Sequence, residues 1–272
     1  MKTFAQRRAR SITLIVIAVF ICWIAYRALQ VSLAPGALYT GFGLLAIILV
    51  LTFFNVRKKL PFIPLMKAST WMQFHIYLGL FSVAVYLFHT SFRIPSGLLE
   101  SLVAAAFLTV CLSGFAGIYI SRTLPKKMTN SGESLIYERL PIFRARSLSE
   151  VEKLVLTAEE KFDSSTLADF YNNHAAHFLR RLPGFWLPFR SIDRNYAEVA
   201  EQLEDLARYL NEKELEAAVE LGEWLDSKRN LDFQWACHRL LKRWLFIHIP
   251  LTYSLIILVI VHAWVAISYT SN

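Results

Sequence analysis

Cysteine is scarce in this sequence, and the few cysteines form no motif. The 272 residues include three cysteines, with no C-x-x-C and no C-x-x-C-H spacing. This pattern indicates neither a disulfide framework, nor a thiolate cluster, nor a covalently attached c-type haem. Segment 122–244 also lacks a G-x-G-x-x-G turn and a P-loop, so the sequence predicts no glycine-rich phosphate-binding site there.

Acidic residues are almost absent from more than half of the chain. Segment 122–244 holds 20 of the 21 acidic residues, and Glu100 alone lies elsewhere, against ten Lys and Arg. The net charge of +8 therefore arises outside this segment. Basic residues that cluster beside apolar runs indicate membrane topology rather than a nucleic-acid surface. We predict no nucleic-acid partner.

Long apolar runs are what the chain does contain. It is 55% hydrophobic, with a mean hydropathy of +0.40. Five runs approach the roughly 20 residues that a membrane-spanning helix needs: 12–29, 36–54, 72–92, 98–120 and 245–268. They predict an all-α membrane protein, a five-span helical bundle with a helical cytoplasmic insertion between spans four and five. The corresponding domains are 1–121, 122–244 and 245–272.

The basic residues beside these runs predict the orientation of the chain. They precede span one, lie between spans two and three, and follow span four: Lys2, Arg7, Arg8, Arg10, Arg57, Lys58, Lys59, Lys67, Arg122, Lys126 and Lys127. The opposite segments contain Arg93 alone. Because cytoplasmic loops carry the excess of Lys and Arg, we expect a cytoplasmic N-terminus and an outer C-terminus, in a bacterial inner membrane.

Segment 122–244 has a helical pattern. Ser149 with Glu152 three residues later is typical of a capping box and predicts that a helix begins there. Apolar residues recur at helical spacing through 199–225, and turns that contain proline at 140–141 and 183–188 separate the helices. His174 and His177 are three residues apart with no acidic or Cys companion in register, so we interpret them as ordinary helix-face histidines.

Four of the seven histidines lie in two spans at one spacing. His75 and His89 in span three, and His248 and His262 in span five, are each fourteen residues apart. Fourteen helical residues rise about 21 Å and leave both side chains within roughly 40° of one face. Since spans three and five run in the same direction, His75 faces His248 at the inner level and His89 faces His262 at the outer level.

Ionisable groups inside a membrane are costly, which favours a functional role for these histidines. Two imidazoles on opposing helices are what a b-type haem needs for bis-axial ligation, so the sequence predicts two b-type haems with these histidines as ligands to the iron. Gly79, Gly114 and Gly117 allow close approach of a ring or a backbone. A metal or proton path and purely structural contacts are the alternatives.

The repeated H-x13-H pattern resembles the ferric reductase and NADPH oxidase superfamily of transmembrane di-haem cytochromes, in which the third and fifth helices supply the ligands. The bis-haem cytochromes b of quinol-oxidising complexes are similar in spacing, on other helices. The resemblance covers the spans and implies His75, His89, His248 and His262 as axial ligands. Members of the superfamily continue into a sixth span and a flavin and nicotinamide domain, which this sequence lacks, so we expect a separate electron donor.

These patterns favour a cytochrome that relays single electrons across the membrane as a subunit of a redox complex. We expect membrane lipid and redox proteins as partners, with a cytoplasmic donor or quinol and an outer-face acceptor. Candidate partners of the haem propionates are Arg27, Arg93, Arg122, Lys242 and Arg243. Two alternatives stay open: a reductase of ferric or other metal ions, or of oxygen, that acts at the outer haem, and a haem-free metal or proton transporter.

Overall fold

The computed structural model describes residues 4–32, 36–57, 68–130, 140–162, 165–181 and 188–270. Nearly all of these residues are helical, and none of them lies in a β-strand. The all-α prediction is therefore confirmed. Lys2, Lys58, Lys59 and Lys67, which contribute to the predicted orientation, lie outside the described residues, and the orientation stays a prediction.

Among the residues that the structure describes, five helices are long and apolar enough to cross a membrane, which confirms the predicted number of spans and is compatible with a multi-pass membrane protein. They are α1 (Phe4–Val31), α2 (Gly36–Arg57), α3 (Ala68–His89), α4 (Leu98–Asn130) and α9 (Glu212–Thr270). All five extend beyond their predicted runs at one end or both, and α4 and α9 extend furthest. α4 continues ten residues past position 120, through Pro125, and α9 begins well before the apolar run at 245.

The insertion between these spans contains α5 (Leu140–Phe162), α6 (Thr166–Phe170), a π-helical turn (Tyr171–Ala175), α7 (Ala176–Arg180), α8 (Pro188–Ala207) and the first part of α9. The predicted turn at 183–188 lies outside the described residues, except for Pro188, which begins α8. Asn211 caps α9, since its side-chain oxygen accepts bonds from the backbone N–H groups of Lys213 and Glu214.

The predicted helix start at Ser149 is wrong, and so is the turn at 140–141. α5 begins at Leu140, so Ser149 lies inside the helix. The reason is that the buried face of α5 extends upstream: Leu140, Ser147 and Val151 are all buried and share one side of the helix. Pro141 is compatible with this start, because the first-turn N–H groups of a helix have no intrahelical acceptor.

The chain divides into two compact units. We call Met1–Tyr119 with Trp244–Asn272 the membrane unit and Ile120–Arg243 the helical unit. The core of the membrane unit joins four helices through Leu44, Ile48, Val85, Phe107 and Leu255. The larger core of the helical unit joins α5, α6, α7, α8 and α9, and a smaller cluster packs Leu124 and Met128 of α4 against Cys237 of α9. These contacts explain why α4 extends beyond its apolar run.

Candidate functional site

His89 is the last residue of α3, and its ring is held by the first turn of α2. Nδ1 lies 3.0 Å from the carbonyl oxygen of Ala37 and 3.3 Å from Oγ1 of Thr40. A carbonyl can only accept, so Nδ1 carries the proton and donates it to Ala37. Nε2 then keeps its lone pair. A histidine that is fixed in this way through one nitrogen is prepared to bind a metal through the other.

Gly41 provides the space in which the His89 ring lies against α2. A Cβ atom at this position would approach Cε1 of His89 to 3.0 Å, which is tighter than nine in ten real Cβ contacts, so the ring would have to shift slightly. The absence of a side chain therefore lets the imidazole stay beside the backbone of α2.

His262 of α9 faces His89. The two ring centroids are 6.3 Å apart and the ring planes are nearly perpendicular, at 85°. A metal bound at about 2 Å to one nitrogen of each of two opposed imidazoles separates their centroids by roughly 6 Å. The observed separation therefore fits one metal atom between the two rings.

A cavity of about 530 Å³ opens beside this histidine pair in the membrane unit. Its walls come from α2, α3, α4 and α9 and are mainly apolar, with Leu44, Ile48 and Phe107 among them. One end is polar, where Arg93 and Glu100 contribute to the lining. Its size lies within the range of cofactor pockets, and its apolar walls suit a flat apolar ring. At the polar end the Arg93 guanidinium suits a carboxylate on such a ring, whereas Glu100 opposes one.

The loop that follows His89 has a constrained backbone. Ser91 and Phe92 both have positive φ, at 50° and 60°, a conformation that non-glycine residues rarely adopt. Tyr26 of α1 stabilises the loop, because its hydroxyl lies 3.2 Å from Oγ of Ser91 and its ring stacks on Phe88 at 5.3 Å. The loop then leads directly to Arg93, which lines the cavity.

His248 is held by a different arrangement at the other end of the helices. Its Nδ1 lies 3.1 Å from Oγ of Ser113 on α4, and its ring stacks on Trp244 with centroids 5.3 Å apart. Trp244 is itself fixed, since its Nε1–H donates to the carbonyl oxygen of Ser113 at 2.8 Å. A Cβ at Gly117 would overlap the indole of Trp244, whereas one at Gly114 would make ordinary contact with His248.

His75 lies on α3 within reach of the Leu51 carbonyl on α2, and close enough to His248 for the two rings to interact electrostatically. A Cβ at Gly79, one turn later on α3, would meet open space. The structure thus places the rings of His89 and His262 opposite each other. His75 and His248 interact electrostatically, and the assignment of either pair as ligands stays a prediction.

Two of the predicted propionate partners, Arg93 and Arg27, lie in the membrane unit, and the other three lie in the helical unit. Arg93 lines the cavity beside His89, while Arg27 lies 3.5 Å from the side-chain oxygen of Gln30 on the exposed face of α1. Arg122, Lys242 and Arg243 belong to the helical unit, and their roles stay predictions.

His174 and His177 lie on exposed surface of the helical unit, and the ring of His174 stacks on Phe170 at 5.5 Å. Their interpretation as helix-face histidines agrees with this exposure. Within the described residues, no group of three or more His, Cys, Asp or Glu converges on a point where a metal ion could bind.

Sequence reasoning missed the contacts that fix the histidines, and it also missed a buried ion pair. Ser113 and Trp244 carry no signal in the sequence, because their role depends on which helices are neighbours. Lys228 pairs with Asp232 in the helical unit, is 1% exposed and donates to the carbonyl of Arg181 at 3.3 Å. Burial lowers the pKa of Lys228 to about 8, against the attraction of Asp232.

Comparison of the chain with models of protein families, with curated proteins and with solved structures gives no match.

Proposed function

We propose that this protein is a di-haem b-type membrane cytochrome that relays single electrons across the membrane as a subunit of a redox complex. One observation carries the proposal: His89 and His262 oppose each other at 6.3 Å beside a cavity of about 530 Å³. His75 and His248, fourteen residues earlier on each helix, interact electrostatically and would form a second pair.

The residues around the His89 pair suit a haem. Nε2 of His89 is the nitrogen left for the iron, since Nδ1 donates to Ala37. The apolar walls exclude water, and Arg93 at the polar end would pair with a propionate. When bound, the haem supplies an iron that is reversibly oxidised and reduced by one electron.

The second haem would bind between His75 and His248. Ser113 and Trp244 orient His248 and leave its Nε2 for the iron. Val85 and Leu255, which lie between the two histidine levels along α3 and α9, belong to the apolar core. This core keeps water and charge out of the space between the sites, so the protein holds two redox centres at fixed depths.

The polar end of the cavity favours a second candidate function, a reductase that acts at the haem of the His89 pair. Ser96 and Glu100 line this end together with Arg93. A small oxidised metal ion or oxygen that enters there would lie close to the redox centre.

Electron transfer across a closed membrane tests the relay directly. The purified protein is reconstituted into liposomes that contain ferricyanide, and dithionite is added outside. Because neither reagent crosses the bilayer readily, we expect the protein to speed the reduction of the trapped ferricyanide. The matched control is the His89→Leu/His248→Leu variant, which loses one ligand at each site. Equal rates for the wild type, this variant and liposomes without protein would contradict the proposed function.

A further inference from the structure

The helical unit carries an apolar groove that the histidine sites do not use. It lies between α8 and α9 and has a volume of about 210 Å³. Small residues create the space, and the lining consists of Tyr196, Ala200, Leu203, Glu204, Ala207, Leu215, Ala218, Val219, Gly222 and Leu225. Val219 is 58% exposed, so this apolar side chain of the groove is accessible to solvent. An exposed apolar groove of this kind indicates an interaction site.

The rim of the groove is strongly acidic. Residues 198–226 contain ten Asp and Glu against two Lys and Arg. Three of the ten pair with arginines, namely Glu198, Asp205 and Asp226, and Glu214 caps α9. Six others are exposed and, within the part of the chain that the structure describes, have no ion-pair partner within 4.0 Å: Glu201, Glu204, Glu212, Glu216, Glu220 and Glu223.

Several of these six carboxylates flank the groove itself. Glu204 lines it from α8. On α9, Glu216 lies three residues before Val219 and Glu223 lies four residues after it, so both neighbour Val219 on the helix surface. Apolar walls between two acidic edges complement a helix with an apolar face and basic residues on both sides of that face.

We propose that the groove between α8 and α9 docks a partner protein through an amphipathic helix whose apolar face is bordered by lysine or arginine. The six unpaired carboxylates repel an anionic lipid surface and nucleic acid, which leaves a cationic protein segment as the occupant. The proposal does not depend on haem, so its failure would leave the proposed electron relay untouched.

Binding of designed peptides to the full chain in nanodiscs of zwitterionic lipid tests this proposal. The probes are a helix with leucines on one face and flanking lysines, its counterpart with flanking glutamates, and a lysine peptide of equal charge without the leucine face. Fluorescence anisotropy is measured with empty nanodiscs as the blank. We expect binding of the leucine–lysine helix alone, weakened by added salt because the flanking charges are exposed. If the lysine peptide without leucines bound as tightly as the leucine–lysine helix, the apolar groove would not contribute to binding and the proposal would be overturned.

A charge reversal separates loss of docking from loss of folding. Glu204→Lys/Glu223→Lys should bind the leucine–lysine helix at least about tenfold more weakly, because like charges then face each other. The same variant should gain binding of the leucine–glutamate helix, which a misfolded protein cannot do. The control is Glu159→Lys/Glu160→Lys on α5, which makes the same change in net charge at two exposed positions outside the groove lining.

The control variant should bind the leucine–lysine helix like the wild type. An equal loss in both variants would show diffuse attraction to an acidic surface and overturn the proposal. Light scattering of the detergent-solubilised protein without peptide measures its oligomeric state and so tests whether a second copy of the chain occupies the groove. A dimer that dissociates in Glu204→Lys/Glu223→Lys would assign the groove to self-association and equally overturn the proposal.

Discussion

The membrane unit and the helical unit hold polar side chains inside the fold in different ways. In the helical unit, Lys228 donates to Asp232 and to a backbone carbonyl, so the ion pair is satisfied within the protein. In the membrane unit, His89 and His248 are half-buried, and each is hydrogen-bonded through Nδ1. The comparison teaches that burial alone does not mark a functional group. A functional group is better indicated by a side chain that is oriented through one atom while a second atom remains available as a ligand.

The largest expected effect concerns the pairing of the histidines. His75→Leu/His248→Leu removes both ligands of one site, so we expect about one haem per chain. His89→Leu/His248→Leu removes one ligand from each site, so the haem content should fall close to zero. The haem content of the two purified variants is measured by extraction into acid acetone. The reverse ranking would show that the pairs cross, with His75 opposite His262.

The ion pair of the helical unit should affect stability and leave the haem content unchanged. Asp232→Asn leaves the charge of Lys228 buried without its counter-ion, which typically costs about 3–5 kcal/mol. We expect a markedly lower thermal unfolding temperature, measured by circular dichroism in detergent. The control is Asp226→Asn, which removes a partly exposed ion pair with Arg229 and should change stability little. Loss of haem in a folded Asp232→Asn protein would contradict the expectation that this ion pair affects stability alone.

Two neighbouring glycines of α4 distinguish the support of His248 from general packing. Gly117→Ala places a methyl group where the Trp244 indole lies, so Trp244 must leave its stack on His248. We expect a several-fold lower occupancy of the haem between His75 and His248. Gly114→Ala makes only an ordinary contact with His248 and should retain both haems. Optical spectra with quantified haem compare the two variants, and equal haem loss in both would show that the stack on Trp244 has no special role.

The smallest effect should come from the hydrogen bond between Ser113 and His248. Ser113→Ala removes the hydroxyl partner of Nδ1 but keeps the backbone carbonyl that holds Trp244. A hydrogen bond of about 1 kcal/mol corresponds to a shift of roughly tens of millivolts in the potential of that haem. A spectroelectrochemical titration should show one potential moved and the other retained. Equal shifts of both potentials would indicate a general change of structure.

Much of the fold follows from the sequence, because span length and apolar composition are local properties. The five apolar runs predict the five long helices, and the shared spacing of the histidines predicts that the rings of His89 and His262 face each other. The failure at Ser149 is instructive, since Asn211 with Glu214 has the same spacing and does form a cap. The difference is the buried face of α5, which begins at Leu140 and carries the helix through Ser149.

What the sequence does not reveal depends on contacts between helices. Gly41 matters because the His89 ring lies against it, and Ser113 matters because α4 neighbours α9. The spacing of Lys228 and Asp232 is that of an ordinary exposed helical pair, and burial alone makes it unusual. Each of these features depends on tertiary packing, which no local pattern encodes.

The haem content of the purified wild-type chain tests the central claim most directly. The protein is isolated in mild detergent, and a reduced-minus-oxidised spectrum is recorded with haem counted per chain. We predict about two haems per chain, both extracted by acid acetone because no C-x-x-C-H motif attaches them, with the spectrum of low-spin iron. Folded protein that is expressed with ample haem and shows no Soret band would contradict the account.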